Sequence, residues 1–223
     1  MKTSVIFFIM VIAFCSCKHK PETQKPKSEV LVKEEKAIPT VPLVLIKLGE
    51  FANINLSDVS MVNEFIVFKQ IDTNQTVTTI DMNKAVPLYR KMTRREQVVS
   101  LPIFEIQNTD NAILVIQGVG FGGPIWAKVL VDRTSLEIKK IEFEHKAESE
   151  GYGAAMTQSY FEEKFVGTKI DLEKNTFNLQ RNKERRMDDG TLIDGISGAT
   201  MTSQAALEMV NLGLKNYKGY LRP

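Results

Sequence analysis

Cysteine, histidine and tryptophan are scarce in these 223 residues, which hold two, two and one of them respectively. Both cysteines, Cys15 and Cys17, fall at the extreme N-terminus, so the body of the chain carries no thiol. That excludes thiol catalysis, cysteine-ligated iron–sulfur clusters and zinc–thiolate sites, and any redox chemistry must use another cofactor. The histidines, His19 and His145, lie far apart in the sequence, which leaves no basis for a histidine triad or a multi-histidine metal site. Charge of one sign is lacking as well. The net charge is +2 with the basic residues scattered, so nucleic acid is not an expected partner. No internal repeat is visible, and no apolar run reaches the length of about 20 residues that a membrane-spanning helix needs.

The N-terminus does carry one basic residue, Lys2, and then an apolar run over residues 5–14, the pattern of a secretory signal peptide. Phe14-Cys15-Ser16-Cys17 resembles a bacterial lipobox, with Phe14 in place of the usual leucine and the small Ser16 before Cys17. Residues 1–16 therefore read as a lipoprotein signal peptide and Cys17 as the lipidated first residue of the mature chain. Cys15 is the poorer candidate because bulky Phe14 would precede the cut. Residues 17–40, rich in Lys, Glu, Pro and Thr, read as a polar tether, and residues 41–223 as a single domain. The expected location is a bacterial membrane, with the domain lipid-anchored and facing the periplasm or the exterior.

The domain reads as α+β, an antiparallel sheet with helices. Residues 65–80 suggest strand, turn, strand, with Thr73-Asn74-Gln75 as the turn, and residues 112–116 a further short strand. Residues 126–131 and 136–143 flank Asp132-Arg133-Thr134-Ser135 and form an expected hairpin. In its second arm Leu136 and Ile138 have one parity while Ile141 and Phe143 have the other, so a bulge near Lys139 is expected to restore one buried face. Helices are expected over residues 157–165, with Gly167 beyond the end, and over residues 203–215, where Ala206, Met209, Val210 and Leu214 form a stripe. Thr202 or Ser203 would be the N-cap of that second helix.

Ahead of it runs Asp194-Gly195-Ile196-Ser197-Gly198-Ala199-Thr200. A glycine-bearing loop before a helix can seat an anion on unpaired N–H groups, or it can be only a loop with a capped helix behind it. A P-loop is excluded, since no lysine stands between Lys183 and Lys215. The run resembles the Asp-Gly-x-Ser-Gly-Ala-Thr signature of the covalent-FMN-binding domain in the C subunit of the sodium-pumping NADH:quinone oxidoreductase and the G subunit of the Rnf complex. Two further segments resemble that family in order and spacing: the glycine-rich stretch from Gln117 to Trp126, and residues 145–153, which lead to Phe165-Val166-Gly167. The resemblance is strongest over residues 112–214. Glu150 and Tyr152 stand where the family has proline and leucine.

The resemblance implies a flavinylation loop at the N-terminus of the C-terminal helix, with Thr200 bearing FMN through a phosphoester installed by a flavin transferase. It implies that Gly195, Ser197, Gly198 and Ala199 shape the loop and leave room for the cofactor, that Thr202 and Ser203 open the helix, and that Glu148, Gly151, Tyr152 and Gly153 lie at the flavin edge. Asp194 is assigned to transferase recognition or to the metal the transferase uses, and no metal is expected in the protein itself. Trp126 reads as a flavin-stacking ring or as core. Glu148 and Glu150 read as an acid–base pair or as solvated loop acids, His145 as a strand-end residue, and the basic cluster at residues 181–186 as a solvated run or a docking face. The implied function is electron relay by covalent FMN between a membrane electron-transport protein or complex and another acceptor. The alternatives are a flavin-dependent reductase of a soluble acceptor and a flavin-free partner-binding lipoprotein. The absence of a second nucleotide motif favours a carrier over a self-sufficient enzyme.

Cys17→Ala is expected to abolish fatty-acid labelling and release the protein from the membrane fraction, while Cys15→Ala stays labelled and attached. Label retained by Cys17→Ala would contradict the lipobox assignment.

Overall fold

The structure, a computed structural model, describes residues 40–180 and 190–222. The leader with Cys15 and Cys17, the tether with His19, and the basic cluster at residues 181–186 lie outside the described residues. Helix α1 (Leu43–Phe51) and the short α2 (Val62–Phe65) lead into β1 (Ile66–Asp72) and β2 (Val77–Thr79). Helix α3 (Met82–Thr93) precedes β3 (Ser100–Ile106), β4 (Asn111–Val119), β5 (Pro124–Asp132) and β6 (Glu137–His145). These strands form one six-stranded antiparallel sheet in the order β2-β1-β3-β4-β5-β6. Then come α4 (Ser159–Glu162), a parallel pair of β7 (Phe177–Gln180) and β8 (Thr191–Asp194), the long α5 (Thr200–Lys215) and α6 (Lys218–Leu221). The fold is α+β.

Turn chemistry sets the hairpins where the sequence suggests them. Asp72 Oδ1 accepts from the N–H groups of Asn74 and Thr76, both at 2.9 Å, and Asp132 Oδ1 does the same for Thr134 and Ser135. The expected bulge is present: Leu130 faces Lys140 while Val131 faces Ile138, so Lys139 is the extra residue. Ile138, Ile141 and Phe143 are consequently all buried.

Two expectations need correction. Residues 157–165 do not make one helix; a 3-10 turn at Gly153–Thr157, α4 and a second 3-10 turn at Glu163–Phe165 share the stretch. The apolar spacing there arises because Phe161 and Phe165 pack with Phe143 in an aromatic cluster, which rewards burial without requiring a continuous helix. The long helix begins at Thr200, earlier than Ser203.

Both faces of the sheet are covered. On one, Leu114, Ile116, Ala127 and Val129 pack with Ala206, Met209, Val210 and Leu214 of α5. On the other, Phe68, Phe104, Ile113 and Val115 pack with Leu45 and Leu48 of α1 and Ala85 and Tyr89 of α3. Helix α5 lies close on β4, because a Cβ at Gly213 would come within 2.6 Å of Ile116, and one at Gly118 within 2.9 Å of Met209. Strands β3 and β4 pair only from Ile103↔Leu114 to Glu105↔Ala112. Beyond that point the buried Tyr217 hydroxyl takes over, donating to Val115 O at 2.7 Å and lying 3.2 Å from Pro102 O.

The free edge of β6 is masked. Ile138 and Leu136 exchange backbone hydrogen bonds with residues 167–170, and farther along Glu162 Oε1 accepts from Phe143 N at 2.8 Å. Burial pushes the Glu162 carboxyl up from its ordinary 4.5 to about 7, against the pull of the Phe143 N–H, and nearby Glu142 adds to the rise. A raised carboxyl contributes stability that is full below pH 4.5 and is lost as the pH climbs through 7. Replacement by neutral Gln keeps the acceptor oxygen and removes that loss. From pH 4.5 to 8, wild type should therefore lose about 1–2 kcal/mol relative to Glu162→Gln in urea unfolding, after allowance for solvent screening. Parallel pH profiles would contradict this.

Candidate functional site

The loop that opens α5 is held by its own backbone and one hydroxyl. Ala199 N donates to Ile196 O at 3.0 Å, closing a turn in which Gly198 takes φ 73°, a conformation that favours glycine. Ser203 Oγ donates to Ala199 O at 3.0 Å and accepts from Ile196 N at 2.8 Å, so a buried side chain inside the helix ties down the loop before it. Ser203 N also bonds Ala199 O, at 2.9 Å. Ala199 therefore occupies the N-cap position, with no side-chain cap, and the first helical residue is Thr200, exposed. Neither Thr202 nor Ser203 is the N-cap; both are buried, and their hydroxyls serve loop contacts instead.

Thr202 reaches a carboxylate. Its Oγ1 donates to Glu148 Oε2 at 2.7 Å, while Glu148 Oε1 accepts from Gly122 N at 2.7 Å. Glu148 is only 7% exposed, and its own N–H donates to His145 Nδ1 at 3.2 Å. Space for this carboxylate exists because glycines surround it. A Cβ at Gly120 would collide with Oε1 and one at Gly153 with Oε2, and one at Gly122 would strike the carbonyl of Ala147. Glu148 is thus a buried junction and Glu150 is exposed, so they form neither an acid–base pair nor two solvated acids.

Around this junction opens a cavity of about 440 Å³, within the range of about 300–1,000 Å³ usual for small-molecule sites. Phe121 lines it from the β4–β5 turn; Glu148, Ser149, Tyr152 and Gly153 from the loop after β6; and Gly198, Ala199, Thr200, Met201 and Thr202 from the start of α5. Tyr152 lies against Gly198, where a Cβ would come within 2.9 Å of the phenol ring. Thr200 also borders a second, more polar hollow of about 330 Å³ shared with Leu179, Gln180, Gly195 and Ser197, and so stands on the ridge between the two. The arrangement suits a flat apolar ring in the larger cavity joined to an anionic group at Thr200. The first N–H groups of a helix lack partners within it, and they favour negative charge.

The remaining candidates fall as follows. Asp194 ends β8 with its side chain exposed, and its carbonyl accepts from Lys164 Nζ at 2.8 Å. Gly151 is exposed at φ 73° and does not line the cavity. Trp126 alternates with Ile125 and Ala127, which pack toward α5, so its ring lies on the opposite sheet face, half-buried, with its Nε1 unpartnered. The aromatic that its segment brings to the cavity is Phe121, which the sequence reading did not single out. Its signal was the Gly-Phe-Gly-Gly run itself, a bulky apolar residue among glycines at a hairpin tip. Among the described residues no group of three or more His, Cys, Asp or Glu stands where it could hold a metal ion.

Residues 120–215 match the family model of the FMN-binding domain. The match spans the β4–β5 turn, the loop after β6 and nearly all of α5. Among solved structures, the fold resembles that of the C subunit of Na(+)-translocating NADH-quinone reductase from Parabacteroides distasonis, with TM-score 0.63 and 24% identity over 81% of this chain and 92% of that one. It also resembles NqrC from Shewanella oneidensis, with TM-score 0.58 and 16% identity over 81% of this chain and 96% of that one. At these identities the two structures establish the fold. No curated protein matches the chain significantly.

Removing the Glu148 carboxylate strands a buried hydroxyl and a loop N–H. Glu148→Ala should lower the unfolding free energy by about 2–4 kcal/mol, with Glu148→Gln at roughly half that loss because one acceptor survives. A Glu148→Ala protein within about 0.5 kcal/mol of wild type in chemical denaturation would contradict the junction role.

Proposed function

We propose that this chain is an extracytoplasmic flavoprotein, lipid-anchored at Cys17, that carries FMN covalently on Thr200 and relays electrons between a membrane electron-transport partner and another acceptor. The observation that carries this reading is the exposed Thr200 at the start of α5, on the margin of the apolar cavity and inside the segment that matches the FMN-binding domain. When attached, FMN supplies reversible uptake of one or two electrons. The chain supplies position. The helix N-terminus offsets the phosphate charge, and the turn held by Ser203 presents the Thr200 hydroxyl outward, within reach of a flavin transferase. Exposed Asp194 is available to that transferase or to its metal.

A covalent bond suits an extracytoplasmic site, because a dissociable cofactor would be lost to dilution, whereas an ester makes retention independent of affinity. Membrane electron transport enters by similarity: one structural relative is named as part of a sodium-translocating NADH-quinone reductase. The cavity's mainly apolar lining, with no Lys or Arg among the described residues that form it, fits a ring-binding site.

The test is production of variants together with a flavin transferase, followed by denaturing electrophoresis under ultraviolet light, where only covalent flavin still fluoresces. Thr200→Ala should give a folded protein and a dark band. Thr202→Ala should lose about 1–2 kcal/mol of stability with its buried hydrogen bond and yet keep the fluorescent band. A fluorescent Thr200→Ala band, or a dark wild-type band beside an active transferase, would overturn the assignment.

A further inference from the structure

We infer that Phe121 is the aromatic residue that stacks on the cofactor ring, an inference that rests on the flavin reading above. Phe121 sits in a tight turn between β4 and β5, closed by Gly120 N donating to Gly123 O at 2.7 Å. The turn does not float. Gly122 N is bonded to Glu148 Oε1, and the other oxygen of the same carboxylate holds Thr202, two residues beyond Thr200. The backbone that carries Phe121 is therefore tied, through one buried group, to the backbone that carries the attachment hydroxyl.

Phe121 is 79% exposed while lining the cavity that Thr200 borders. A large apolar ring on a pinned turn, facing a preformed cavity, gains burial when a flat apolar group fills that cavity, and aromatic rings favour offset-stacked or edge-on contact. A ring joined through Thr200 is tethered at that margin. Trp126, the other aromatic of the segment, lies on the far face of the sheet, and Tyr152 already leans on Gly198. Of the two aromatics that line the cavity, Phe121 is the more exposed, at 79% against 57% for Tyr152. It also needs its glycine neighbours: side chains at Gly120 or Gly122 would run into Glu148 or Ala147 and push the turn away from Thr200.

A tryptophan stacked on a flavin quenches its emission by photoinduced electron transfer, whereas a phenylalanine ring is too hard to oxidise to do so, which gives a readout independent of any electron-transfer activity. Full-length wild type, Phe121→Ala, Phe121→Leu and Phe121→Trp are made with a flavin transferase. Covalent loading is taken from flavin absorbance per polypeptide after denaturation, and quenching from the ratio of native to denatured emission in the same sample. At equal loading, Phe121→Trp should lower that ratio about twofold or more, whereas Phe121→Ala and Phe121→Leu, which place no oxidisable ring on the flavin, should not lower it. An unchanged ratio in Phe121→Trp would overturn the inference. So would an equal fall in Phe121→Leu, because the change would then not come from a ring stacked at this position. A wild-type protein with no flavin after denaturation would instead overturn the flavin reading beneath it, and that outcome is read from loading before any ratio is compared.

Discussion

A buried carboxyl group whose two oxygens take strong donors from different parts of the chain cannot move without stranding them, and Glu148 is such a group. It joins the β4–β5 turn through Gly122 and the first turn of α5 through Thr202, while its own loop follows β6 and is secured at His145. The segments in which the sequence resembles the FMN-binding family are the ones that converge here, so their shared spacing along the chain has a physical cause. Each must deliver a donor, or a glycine-sized gap, to one point. The cavity is the space left over when they do.

The sheet places that point. Helix α5 is pressed onto β4 because Gly213 and Gly118 remove the side chains that would hold it off. Buried Asn211 exchanges hydrogen bonds with both the N–H and the carbonyl of Phe177, which ties β7 to the same helix. At its start, Ser203 reaches back to fix residues 196–199. Thr200 is consequently the first residue of a helix held along its length by the sheet and at its end by a hydroxyl. It stays exposed, although Thr202 and Ser203, just beyond it, are fully engaged.

Much of this was legible in the sequence, and the gaps have physical reasons. The hairpins could be read because Asp72 and Asp132 form local turns whose chemistry is complete within a few residues, and parity alone located the bulge at Lys139. The start of α5 was misplaced because hydroxyl residues favour N-caps in general, whereas Thr202 and Ser203 are claimed by partners distant in sequence or by the loop behind them. The burial of Glu148 was hidden for the same reason: Gly122 and Thr202 lie far from it along the chain. Helices α1 and α3, and strands β3, β7 and β8, were not singled out; short β7 and β8 owe their pairing to α5 rather than to a pattern of their own. Trp126 and Phe121 stand close in one glycine-rich run, and only the sheet's alternation shows which of them meets the cavity.

The central claim is that the geometry around Glu148 exists to present Thr200 as a point of covalent attachment for FMN. Its most direct test is mass spectrometry of the wild-type protein made with a flavin transferase, reading the tryptic peptide of residues 187–215. The account predicts that this peptide carries the mass of esterified FMN and that fragmentation assigns it to Thr200. An unmodified peptide from a protein that is otherwise flavin-loaded, or a modification assigned to Ser197, Thr202 or Ser203, would contradict it.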